Sequence, residues 1–121
     1  MKRILAVVLL AAVLMCLAGC GVSEKKVVGV WAREPLYMAH YGCQTVMIIS
    51  LASDGSFTAM LLDDETHNIL NYAGGTWSLD GSTVVAKRTE SLTGAGEDMK
   101  FEYNARKNVI EFEGYEFEKT E

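Results

Sequence analysis

From residue 27 onward, apolar and polar positions alternate with period two between clusters of turn-forming residues. That spacing puts successive side chains on opposite faces of a ribbon and predicts half-buried antiparallel strands. Residues 28–33 set Trp31 and Arg33 on one face, Val30 and Ala32 on the other, and stop before Pro35. Residues 45–51 are a β-rich apolar run ended by Ser53-Asp54-Gly55-Ser56, and residues 57–62 continue until Asp63-Asp64-Glu65. A further strand spans 69–79, interrupted at Gly74-Gly75, before Asp80-Gly81 turns the chain into residues 83–89. Asp-Gly between apolar runs is a strong hairpin signal.

The clearest alternation lies near the C-terminus. Met99, Phe101 and Tyr103 share one face, and Lys100, Glu102 and Asn104 the other. After the turn-rich segment 104–108, Ile110 and Phe112 oppose Glu111 and Glu113. At Gly114 the parity flips, because Tyr115 and Phe117 become the apolar set. A one-residue shift inverts every side chain, so Gly114 marks a β-bulge or a tight turn. Residues 36–44 are the least β-like and read as a loop or short helical turn. The sum is seven or eight short strands in an all-β domain. The expected fold is a small antiparallel up-and-down β-barrel, which leaves no open edges; a β-sandwich is the alternative.

The first twenty residues obey a different pattern. Lys2 and Arg3 precede an apolar stretch over 4–17, shorter than the roughly 20 residues that a spanning helix needs. Charge, apolar core and small residues before a cut make an export signal. Leu17-Ala18-Gly19-Cys20 resembles the lipobox of bacterial lipoproteins. The resemblance implies lipidation at Cys20, cleavage after Gly19, and a domain facing the periplasm or exterior from the cell membrane or outer membrane. Fatty chains such as palmitate then hold the protein, since stable anchoring takes more than one lipid. The implied layout is a signal peptide over 1–19, a lipidated tether over 20–26, and one β domain over 27–121.

Charge narrows the partners. Loss of Lys2 and Arg3 lowers the basic count from 11 to 9 against 16 acidic residues, leaving a net charge of −7. Such a chain repels nucleic acid, and its membrane contact rests on lipid instead of a basic patch. Of three cysteines, Cys16 leaves with the signal and Cys20 carries lipid, so Cys43 remains alone. Stability must come from a packed core without disulfides. Cys43 reads as a small buried hydrophobe, with a reactive thiol as the alternative.

Gly29-Val30-Trp31 on the first strand, the Asp-Gly hairpins and an aromatic–basic last strand resemble small bacterial lipocalin-like domains. In that family the tryptophan packs across the closed end of the barrel, often beneath a basic residue of the last strand. The resemblance therefore implies structural roles for Gly29, Trp31 and Lys119. The further lipocalin signatures are not found, so it does not by itself imply a large cavity.

Candidate chemistry is sparse. His40-x-x-Cys43 and Asp63-Asp64-Glu65-x-His67 have metal-ligand residue types, but neither supplies the four ligands of a structural zinc. Both read as solvated loops, and no metal or cofactor is expected. Gly-x-Ser-x-Gly is absent, Cys43 has no identifiable histidine partner, and Glu111, Glu113, Glu116 and Glu118 alternate as a wet sheet face. Gly94-Ala95-Gly96 precedes Glu97-Asp98, which would repel phosphate. No catalytic residue is expected, and the protein reads as a non-enzyme. Two function classes remain. One is a binding module for a small apolar ligand, with Met38, Met47, Met60, Met99, Tyr37, Tyr41 and Tyr72 available as lining. The other is a protein-interaction or hydrolase-inhibitor module of the cell envelope, presenting loops 34–44 and 63–71.

Overall fold

The computed structural model describes residues 23–91 and 96–120; the predicted signal peptide and Cys20 lie outside them. A single helical turn, α1 (Glu24–Val27), is capped by the Ser23 hydroxyl, which accepts from the Lys25 amide at 3.2 Å. Residues 24–26, assigned to the tether from sequence, lie in this turn, and Val27 beyond them is fully buried. Nine strands follow: β1 (Gly29–Ala32), β2 (Leu36–Met38), β3 (Cys43–Leu51), β4 (Ser56–Asp63), β5 (Ile69–Asp80), β6 (Thr83–Ser91), β7 (Met99–Asn104), β8 (Val109–Phe112) and β9 (Tyr115–Lys119). No helix among the described residues is long and apolar enough to cross a membrane.

The sheet is an antiparallel meander from β3 to β9, and β1 closes it. β1 pairs with β3 from Gly29↔Leu51 to Ala32↔Ile48, and with β9 through Trp31↔Lys119 and Ala32↔Glu118. A strand bonded on both sides to the ends of a meander makes a closed eight-stranded barrel, which excludes the sandwich. The ninth strand, β2, lies beside β3 through Leu36↔Thr45 and Met38↔Cys43. It occupies a segment expected to be a loop or helical turn. Its three residues are too few for periodicity to show, and the pairing with β3 supplies what local propensity does not.

Local chemistry sets the turns. Asp54 accepts from the Ser56 amide at 2.9 Å and from its hydroxyl at 2.7 Å, closing the β3–β4 hairpin. Glu113 and Gly114 both take positive φ, 53° and 87°, between the paired residues Phe112 and Tyr115. Positive φ at both central positions is the mirror-image hairpin turn that matches strand twist. The parity flip at Gly114 is therefore a tight turn and not a bulge. The register shifts lie elsewhere: Thr89 of β6 is the extra residue opposite Gly74 and Gly75, and Leu70 of β5 is the extra residue opposite Leu61 and Leu62. A Cβ on Gly75 would collide with the Lys87 carbonyl oxygen, so glycine lets β6 approach where the long β5 bends.

One end of the barrel is sealed. Trp31 is fully buried, donates its indole N–H to the Val27 carbonyl at 2.9 Å and meets Tyr103 edge-on at 6.2 Å. Trp77 donates to the Ala52 carbonyl at 2.8 Å across the β3–β4 turn. Leu51, Phe57, Val84, Phe101 and Ile110 fill the space between them. Large side chains with their polar handles satisfied make this the rigid half of the interior.

Candidate functional site

The opposite end of the barrel is open, and residue size explains the difference. Phe57 and Trp77 give way, two positions toward the mouth along β4 and four along β5, to Ala59 and Ala73, which pair directly. The space they vacate is a pocket of about 260 Å³. Ligand pockets for drug-sized molecules run from about 300 to 1,000 Å³, so this one suits a small molecule. Met47 from β3, Leu61 from β4, Met99 from β7, Phe112 from β8 and Phe117 from β9 make its walls largely apolar. Leu36 and Met38 of β2 extend the wall at the mouth, which gives the short ninth strand a role.

Two arginines interrupt this lining, Arg33 and Arg88. Arg33 follows β1, where its amide continues the pairing with β3 by donating to the Met47 carbonyl at 3.4 Å. Only 9% exposed, its guanidinium donates from Nη1 to the Thr45 carbonyl at 2.9 Å and the Glu34 carbonyl at 3.2 Å. Nη2 reaches the Thr45 hydroxyl at 3.1 Å and the Met38 sulfur at 3.9 Å. Thr45, fully buried, in turn donates to the Leu36 carbonyl at 2.9 Å. The Tyr115 ring centroid lies 6.0 Å from the guanidinium carbon. Burial holds the Arg33 pKa below its ordinary value, with Tyr115 opposing that shift.

Arg88 stands on β6, four strands round the barrel from β1, and so on the facing wall. Its Nε donates to the Glu97 carbonyl at 2.7 Å, and it is half-buried. Among the described residues the only ion pair joins Lys107 to Glu116 at 2.8 Å on the outer surface. Neither mouth arginine is therefore paired with a carboxylate of the described residues. Glu113 is the acid that shares the pocket lining, exposed in the β8–β9 turn.

The residues singled out from sequence divide clearly. Met38, Met47, Met99, Tyr41 and Tyr72 line the pocket, with the Tyr72 hydroxyl donating to Glu90 at 2.9 Å. Met60 alternates with buried Ala59 and Leu61 on β4 and faces outward, while Tyr37 is 57% exposed. Sequence reasoning passed over Arg33, Arg88, Phe112, Tyr115 and Phe117 as lining. For Arg33 a signal existed: it shares the parity of Trp31 and hence the inner face. Gly29 begins β1 at the sealed end, and Lys119 covers Trp31 with its Nζ 5.4 Å from the ring centroid.

His40 packs edge-on against Tyr41 at 4.7 Å, and exposed His67 donates its amide to the Asp63 carbonyl at 2.8 Å. No group of three or more histidine, cysteine, aspartate or glutamate residues clusters among the described residues. The half-buried Cys43 thiol is pushed up by desolvation and by its hydrogen bond to Asp63. That shift lowers its thiolate fraction and its reactivity. Asp63 is held below its ordinary value, first by the Thr66 and Glu65 amides, which donate to it at 3.0 and 2.8 Å. No protein-family model, no curated protein and no solved structure matches this chain.

Proposed function

We propose that this chain is an exported lipoprotein, anchored through Cys20 in the cell membrane or outer membrane, whose barrel binds a small apolar molecule without transforming it. The supporting observation is the open, mostly apolar pocket of about 260 Å³ above a sealed aromatic floor. Concave apolar sites with a few fixed polar groups are the usual form of small-molecule sites, and barrel mouths are a common place for them. The lipocalin-like reading gains support from Lys119 lying over Trp31. The anchor rests on the Leu17-Ala18-Gly19-Cys20 sequence.

Native mass spectrometry of the chain purified from its own cell extract tests the ligand reading. A co-purifying small molecule supports it; a chain recovered bare, whose added apolar compounds also leave no adduct, contradicts it. The anchor is tested on the N-terminal peptide. An acylated peptide beginning at Cys20 is expected, and an unmodified one retaining residues 1–19 would contradict the anchor.

A second reading has its own observation. Tyr37, Ile69 and Tyr115, 57%, 55% and 46% exposed, stand at the mouth end of the barrel. Exposed aromatic and aliphatic side chains in a short strand and at strand ends suit a protein-interaction or hydrolase-inhibitor module, and a stoichiometric protein in the same spectrum would favour it.

A further inference from the structure

Arg33 and Arg88 are unusual company for an apolar pocket in an acidic protein. Sixteen acidic residues are available in the chain, yet neither arginine meets a carboxylate among the described residues. A buried charge satisfied only by neutral oxygens keeps part of its desolvation cost, and an opposite charge entering the same low-dielectric space recovers it. Arg33 is in that state: its acceptors are two carbonyls, a hydroxyl and a thioether. Those contacts fix its position, because they tie the guanidinium to β2 and β3 at once.

Arg88 offers what Arg33 lacks. Among the described residues only its Nε is engaged, with the Glu97 carbonyl, and the paired Nη groups keep their donors. That end of a guanidinium matches the two oxygens of a carboxylate. The Glu113 carboxylate lines the same pocket but is exposed and forms no ion pair with either arginine. Apolar walls with two unpaired cations on facing sides describe a ligand that is greasy along its body and negative at one end.

We propose that the molecule held in the barrel mouth is an amphipathic anion, an apolar body carrying a carboxylate-type head whose charge is met by Arg88 and Arg33. This inference rests on the ligand-binding reading above and narrows its chemistry. The pocket volume restricts the body to a short chain or a single ring system.

Calorimetric titration of the full-length chain with octanoate and with octanol separates the two claims, since the probes share a chain and differ in charge. Octanoate is expected to bind roughly tenfold or more tightly than octanol, the effect of a charge-assisted hydrogen bond. In Arg88→Met and Arg33→Met that preference should shrink while octanol binding persists. Because Arg33 also ties β1 to β3, its variant is read only if its melting stays cooperative; otherwise Arg88→Met alone decides. Equal binding of the two probes by the native chain, or a preference unchanged in the readable variants, overturns the anionic ligand and leaves the pocket reading standing. Binding of neither probe overturns both.

Discussion

Lys119 and Trp31 are direct partners in the register that closes the barrel, and the Lys119 ammonium sits 5.4 Å from the centre of the indole. The same ammonium donates to the Lys26 carbonyl at 3.2 Å, so the last strand, the first strand and α1 meet at one side chain. Thr120 continues the seam, its amide donating to the Val30 carbonyl at 2.7 Å. Closure of the barrel and burial of its largest side chain are therefore one event.

Trp31→Ala should destabilise the fold by about 3–5 kcal/mol, the usual cost of deleting a buried tryptophan. Lys119→Met, which keeps the aliphatic stem and removes the charge, should cost about 0.5–1 kcal/mol, the value of a partly exposed cation–π contact. Urea unfolding followed by circular dichroism measures both. A native midpoint for Trp31→Ala would contradict the role of the seam.

Gly75→Ala should destabilise by about 1–3 kcal/mol, because the added methyl has to displace the Lys87 backbone and with it the β5–β6 bulge. A melting temperature equal to that of the native chain would mean that the two strands separate at no cost. The methyl would then carry no information about the bend.

The fold was largely legible in the sequence because turns and alternation are local signals. Asp54-Gly55 and Asp80-Gly81 predict hairpins from their own chemistry, and the alternation from Met99 to Tyr103 assigns faces without reference to partners. The pairing of β1 with both β3 and β9 is not local, and no residue in β1 announces two neighbours. The pocket was less legible for a related reason. It arises from what Ala59 and Ala73 do not fill, and a small residue reads the same whether packed against a neighbour or facing empty space. Met60 shows the converse: its type suits a lining, but its parity on β4 puts it outside.

Acidification should weaken the β6–β7 pairing through Glu102. Its carboxylate accepts hydrogen bonds from the hydroxyls of Ser82 and Thr83, which hold its pKa below the ordinary value. A native pKa below the unfolded one contributes stability that is present above the unfolded value, about 4.3 for glutamate, and is lost as pH falls through the native value. Glu102→Gln should therefore show a shallower loss of stability than the native chain below about pH 4. Parallel acid-unfolding curves for the two proteins would contradict the assignment.

Cys43 should be a slow nucleophile, held back first by desolvation and then by Asp63. Asp63→Asn removes the carboxylate that hydrogen-bonds the thiol, so the thiolate becomes easier to form. Alkylation of Cys43 by iodoacetamide at neutral pH, followed on the tryptic peptide, should run faster in the variant. An unchanged rate would place the control of this thiol in burial alone.

The account depends most on the mouth of the barrel being open space that an apolar body can enter. Methyl-labelled methionine in the full-length chain reads this directly during an octanol titration, since Met38, Met47 and Met99 line the pocket and Met60 lies outside it. The predicted result is saturable movement of the Met47 and Met99 signals, a stationary Met60, and loss of the response in Ala73→Leu, whose side chain fills the gap. Equal drift of all four signals, or an undiminished response in the filled variant, would contradict the pocket.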